Sequence, residues 1–206
     1  MHRVLALGDS YTIGEAVDPA DRWPVQLVAR LRADGIAIDE PVIIARTGWT
    51  TAELAAAIDA APPAGTFHLV SLLIGVNDQY RGLPCNGAYR ARLDGLLHRA
   101  RAFAAGDPSR LLVLSIPDWG VTPFAAGRDR AAVSAAIDAF NAVNRAAAEA
   151  AGAAWVDVTQ VSRTAAADPS LLASDGLHPS AAMYARWVER VLPLARAILA
   201  APHTGA

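Results

Sequence analysis

The sequence predicts an α/β protein, a three-layer α/β/α sandwich built on five parallel strands. Two patterns carry that expectation. Five short runs, Val4 to Leu7, Val42 to Ala45, Leu69 to Ile74, Leu111 to Ile116 and Trp155 to Val158, are nearly continuous in Val, Leu and Ile, as strands covered on both faces are. The segments between them carry helical spacing, and strands alternating with helices imply right-handed crossovers returning over the faces of a parallel sheet.

Taken in order, the first run ends in Gly8-Asp9-Ser10-Tyr11-Thr12, the second in Arg46-Thr47-Gly48-Trp49 and the third in Gly75-Val76-Asn77-Asp78. After the fourth run, Arg130 to Ala151 gives the clearest helix: Val133, Ile137, Phe140 and Ala147 share one face, with Asp138, Arg145 and Glu149 elsewhere. After the fifth, Met183, Trp187, Val191, Leu194 and Ile198 recur at steps of three and four behind Ser180, a suitable N-cap. Pro193 inside that pattern is expected to kink or divide the last helix. The Ala-rich stretches Ala60 to Gly65 and Ala165 to Ala167 read as connections. No repeat or linker divides the chain, so residues 1–201 are expected to form one domain and 202–206, from Pro202, a frayed tail.

Composition excludes several classes. The 206 residues carry a net charge of −2, without the basic surplus that neutralises phosphates, so nucleic acid is not an expected partner. All 18 basic residues are Arg, which rules out a Schiff-base lysine, a lysine-bearing phosphate loop and a Ser-Lys dyad. Cys85 is the only cysteine, so no internal disulfide forms and a reducing compartment fits. The apolar run after Arg3 is far too short for a secretory signal, and charges break every longer apolar stretch. The expectation is a cytoplasmic protein without a membrane span. No G-x-G-x-x-G follows the first strand and no cluster has metal-ligand spacing, so neither a dinucleotide, a metal nor any other cofactor is expected.

In open parallel sheets, ligands bind beyond the carboxyl ends of the strands, and the three segments above all fall on that rim. Singly, each has a structural explanation: a capped turn at Gly8-Asp9-Ser10, a turn glycine at Gly48, a helix cap at Asn77-Asp78. Together they mark a site. A nucleophilic serine at position 10 needs a base, and the five histidines sort by position. His2 and His68 precede strands at the opposite end of the sheet, His98 lies mid-helix and His203 is in the tail. Only His178 remains, in the loop entering the last helix. Pro179 disfavours the helical state for the residue before it, and a tight turn over Gly176 and Leu177 would bring the Asp175 carboxylate to the imidazole Nδ1, the orienting role of a triad. Asp157, read as part of the fifth strand, is the competing acid. Cys85 has no histidine placed for it and is read as a bystander.

These residues resemble the SGNH branch of the GDSL hydrolases: Ser10 within Gly8-Asp9-Ser10, then Gly48, then Asn77 within Gly75-Val76-Asn77-Asp78, then His178 within Asp175-Gly176-Leu177-His178-Pro179, in family order across nearly the whole chain. The resemblance implies a flavodoxin-like fold and an esterase in which Ser10 is the nucleophile and His178 the base, oriented by Asp175. It also implies an oxyanion hole made by the backbone N–H groups of Ser10 and Gly48 and the side-chain amide of Asn77. Donors of that kind are what charge developing on the carbonyl oxygen requires. The second glycine of a G-x-S-x-G elbow is absent, so this is not the usual α/β-hydrolase arrangement.

The expected substrate is a small carboxylic ester, with thioesters and lysophospholipids as further candidates, cleaved through an acyl-enzyme on Ser10; a neutral His178 is required, so activity should fall on acidification. Trp49, Tyr80, Trp119 and Phe124 lie near the same rim and are read as candidates to line the substrate pocket. Two rivals stand beside this reading: an acyltransferase using the same acyl-enzyme, and a flavodoxin-like binding module without catalysis. The oligomeric state is not legible in the sequence.

Overall fold

The computed structural model describes residues 1–201. Both the frayed tail expected from Pro202 and His203 within it lie outside the described residues. Five strands, β1 (Val4–Gly8), β2 (Val42–Ala45), β3 (Leu69–Leu73), β4 (Leu111–Leu114) and β5 (Ala154–Val156), form one all-parallel sheet in the order β2-β1-β3-β4-β5. The helices are α1 (Ser10–Ile13), α2 (Trp23–Ala33), α3 (Thr51–Ala60), α4 (Val76–Tyr80), α5 (Gly87–Phe103), α6 (Arg130–Ala151), α7 (Thr159–Ser162) and α8 (Ala181–Ala200), with short 3₁₀ turns between several of them.

Successive strand residues point to opposite faces, and two apolar layers result. Val4 and Ala6 of β1, Leu69 and Leu73 of β3, and Leu112 and Leu114 of β4 pack with Trp23, Leu27 and Leu31 of α2 and Trp187, Val188 and Val191 of α8. Leu5 and Leu7, Val70 and Leu72, and Val113 face the other way, against Leu54 and Ile58 of α3, Leu93 and Leu96 of α5, and Ala147 and Ala148 of α6. The three central strands are buried throughout, as their unbroken apolar runs require, while β2 and β5 at the sheet edges are partly exposed.

The expected runs overshoot the strands. Ile74, Ile116 and Val158 are buried but lie past the last ladder residue, because the chain stays apolar while it turns over the rim. Asp157 likewise follows β5 rather than lying in it. Pro193 does not divide the last helix, since α8 is continuous from Ala181 to Ala200 with Pro193 inside it. Proline in a helix interior costs ~3 kcal/mol, but Val191, Leu192, Ala195 and Leu199 are buried on either side of it, and that burial outweighs the lost hydrogen bond. Ser180 caps α8 as expected, accepting from the Met183 N–H. Among the described residues, no helix is long and apolar enough to cross a membrane.

Helix α6 also braces the rim. Asn144 donates from Nδ2 to the Ile74 carbonyl (3.1 Å) and accepts from the Tyr89 hydroxyl (2.6 Å), while Asn141 accepts from Ile116 N–H and donates to its carbonyl. Each amide satisfies backbone groups that leave the ladder at a strand end, where an unpaired buried group is costly. Asn144→Ala should therefore lower unfolding stability by about 1–3 kcal/mol in a urea titration. A loss near zero would contradict this bracing role.

Candidate active site

In this strand order the chain reverses direction across the sheet after β1 and β2, and ligand clefts open where loops diverge at such a switch point, here between β1 and β3. Ser10 follows β1 and Asn77 follows β3. A cleft of about 150 Å³ opens there, lined by Ser10, Gly48, Asn77 and His178 together with apolar walls that include Tyr80, Trp119 and Phe124.

Local chemistry explains how each group arrives. An added Cβ at Gly8 would stand 2.2 Å from Thr12 Oγ1 and 2.6 Å from the Leu73 carbonyl oxygen, so only glycine lets α1 turn so closely over β3. Asp9 caps α1, accepting from Tyr11 N–H at 3.0 Å. Ser10 is thus the first residue of the helix, where backbone N–H groups have no acceptor within it. Gly48 sits at the third position of a four-residue turn closed by Trp49 N–H to the Arg46 carbonyl (3.2 Å). Its φ of 86°, with Thr47 outside the positive range, defines a type II turn. The Asn77 amide donates to the Trp49 carbonyl at 2.9 Å, which leaves its second N–H for another acceptor.

At the other end of the chain, the Asp175 carboxylate organises its own turn. One oxygen accepts from Leu177 N–H and His178 N–H, both at 2.9 Å, and the other lies 2.6 Å from His178 Nδ1. Burial alone would raise the Asp175 pKa, but these hydrogen bonds outweigh it and hold the carboxyl below its ordinary range. The ionised acid fixes the imidazole through Nδ1, leaving Nε2 as the ring nitrogen not engaged by Asp175. The Tyr11 ring packs against the imidazole with centroids 5.6 Å apart.

The structure therefore brings together Ser10, Gly48, Asn77 and His178, with Asp175 behind the imidazole. Tyr80, Trp119 and Phe124 form a mutually packed aromatic wall, with centroids 5.5 to 6.1 Å apart, and Trp119 is pinned through Nε1 to Gln79 Oε1 (2.9 Å). Trp49 does not join them: its side chain packs onto the apolar layer beneath α3, and only its carbonyl reaches Asn77. Asp157 accepts from Thr159 N–H and bonds the Ser115 hydroxyl, beyond β5 and away from this cleft. Cys85 is not among the residues lining it. Sequence reasoning missed Tyr11, Thr47, Val76 and Leu177 of the lining and the two bracing amides of α6. Those amides had a signal, since Asn141 and Asn144 interrupt an otherwise apolar helix face at a spacing of three.

Comparison with known proteins gives the class, a carboxylic ester hydrolase. The profile of the GDSL-like Lipase/Acylhydrolase family matches residues 6–186, and the chain belongs to that family. Among solved structures it is similar to TesA (25% identity over 96% of this chain and 99% of that one, TM-score 0.74). It is also similar to the psychrotrophic esterase EstA from Pseudoalteromonas sp. (18%, over 97% and 99%, TM-score 0.69) and to Axe2, an acetylxylan esterase from Geobacillus stearothermophilus (20%, over 98% and 95%, TM-score 0.70). Proteins of curated function gave no match.

The fully buried Asp9 carries a consequence for stability. Burial, partly offset by the Tyr11 N–H and reinforced by the nearby Asp78 charge, pushes its carboxyl up to about 8, and its Oδ2 has no hydrogen-bond partner among the described residues. The folded state thus holds a proton that the unfolded chain releases near the ordinary aspartate value of ~3.9. This contribution to stability is complete below that value and is lost as pH rises through about 8. Asp9→Asn, which mimics the protonated acid, should raise the unfolding midpoint over wild type at pH 8 more than at pH 4. A difference independent of pH would contradict a neutral buried Asp9.

Proposed function

We propose that the protein hydrolyses small carboxylic esters through an acyl-enzyme on Ser10. The observation that carries this reading is the 2.6 Å contact between Asp175 and His178 Nδ1 on a cleft that Ser10 also lines. His178 Nε2 takes the hydroxyl proton as Oγ bonds to the acyl carbon. Negative charge gathers on the carbonyl oxygen, and the backbone N–H groups of Ser10 and Gly48 and the spare amide N–H of Asn77 receive it. The C–O bond to the leaving alcohol then breaks, and imidazolium returns the proton to that alcohol. Water repeats the sequence on the acyl-serine, releasing the acid and restoring the hydroxyl.

Asp175 stabilises the imidazolium formed at each attack and holds the ring in the tautomer that presents Nε2 as acceptor. The aromatic and aliphatic walls of the cleft favour an apolar group beside the reacting carbon. Esters of short acids, the class that the name of the acetylxylan esterase Axe2 denotes, are the first substrates to test.

A fluorophosphonate should label the wild type and not Ser10→Ala, which should also lose p-nitrophenyl ester hydrolysis. Retained activity in Ser10→Ala would remove the acyl-enzyme. Asn77→Ala should lower kcat by about 10²- to 10³-fold; an unchanged kcat would take Asn77 out of the oxyanion hole. Asp175→Asn should cost orders of magnitude while Asp157→Asn stays near wild type, and the reverse order would reassign the acid.

A further inference from the structure

We infer that Arg81 is a positioning residue of the oxyanion hole, its guanidinium tying the Gly48 turn to the end of α4 so that the Gly48 and Asn77 donors keep their spacing. This rests on the acyl-enzyme reading above. Arg81 Nη2 donates to the Gly48 carbonyl at 2.5 Å, and Nη1 pairs with Glu53 Oε1 at 3.2 Å. Glu53 is itself fixed, because its other oxygen accepts from Thr50 N–H and from the Thr50 hydroxyl in the capping box of α3. Arg81 also ends α4, where its backbone N–H reaches the Asn77 carbonyl at 3.1 Å. One residue thus ties together the two loops that carry the Gly48 and Asn77 donors.

The need for such a tie follows from Gly48 itself. Glycine has no side chain to pack against its surroundings, so the place of the Gly48 turn beside α4 is set by what its backbone groups and its neighbours bond to. Three side chains hold the turn: Glu15 accepts from the Thr47 hydroxyl, Asn77 donates to the Trp49 carbonyl and Arg81 donates to the Gly48 carbonyl. Asn77 is itself read as an oxyanion donor and Glu15 reaches only a side-chain hydroxyl, so Arg81 is the one of the three that bonds the Gly48 backbone. The Arg81–Glu53 pair is about half exposed, and exposed pairs add little to stability, so its removal should disturb geometry more than folding. A planar guanidinium can bridge the Gly48 carbonyl and Glu53 together, whereas an ammonium on a shorter, rounder head cannot match both.

The test compares wild type, Ser10→Ala, Arg81→Ala and Arg81→Lys with p-nitrophenyl acetate, with thermal unfolding measured alongside. Ser10→Ala should be inactive. Arg81→Ala should lose about 10-fold or more in kcat, with KM within about twofold of wild type and a nearly unchanged Tm. Arg81→Lys should recover part of that loss, and guanidinium chloride at millimolar concentration, far below denaturing levels, should restore part of the Arg81→Ala rate. An unchanged kcat in Arg81→Ala beside an inactive Ser10→Ala would overturn the positioning role alone. So would a loss confined to KM, or a loss that tracks a large fall in Tm and resists guanidinium. Full activity in Ser10→Ala would instead bring down the acyl-enzyme reading and this inference with it.

Discussion

Every group of the candidate site depends on one constraint: strands that all run the same way deliver their following loops to the same edge of the sheet. With β1 placed between β2 and β3, the turns after these three strands become neighbours although Ser10, Gly48 and Asn77 are far apart in sequence. The last crossover brings the chain back over the face covered by α2, and the turn before α8 adds His178 to the same cleft. The apolar layers on both faces of the sheet therefore do more than stabilise it, because they fix the spacing on which hydrogen-bond geometry at the rim relies.

Two local devices fix the groups that converge there. At Asp175, a single carboxylate gathers two backbone N–H groups and the imidazole, so carboxylate and imidazole form one rigid turn rather than a pair held across the fold. At Gly48, a type II turn carries a backbone N–H on a residue with no side chain to anchor it. The first device is self-contained. The second borrows its rigidity from α3 and α4 through Glu53, Asn77 and Arg81.

Much of this was legible in the sequence, for identifiable reasons. Central strands buried on both faces admit almost only apolar residues, so Val4 to Leu7 and Leu69 to Leu73 announce themselves. His178 emerged because the other histidines fall where the sheet polarity keeps them from Ser10, and Asp175 because three residues suffice for a tight turn. Strand ends were less legible, since Ile74, Ile116 and Val158 remain buried after the ladder stops. The course of α8 through Pro193 and the inward packing of Trp49 were not legible at all, because each is decided by neighbours distant in sequence. The same holds for Arg81, whose exposed side chain has no periodicity to mark it.

The central claim is that the four rim segments converge on one reacting carbon. The most direct measurement is a crystal structure of the protein after reaction with a small alkyl fluorophosphonate, whose tetrahedral phosphorus imitates the acyl intermediate. The account requires phosphorus bonded to Ser10 Oγ, with one phosphoryl oxygen about 2.7–3.1 Å from the N–H nitrogens of Ser10 and Gly48 and from Asn77 Nδ2, and His178 Nε2 facing the ester oxygen. Phosphorus on another residue, or a phosphoryl oxygen turned to solvent away from all three nitrogens, would contradict it.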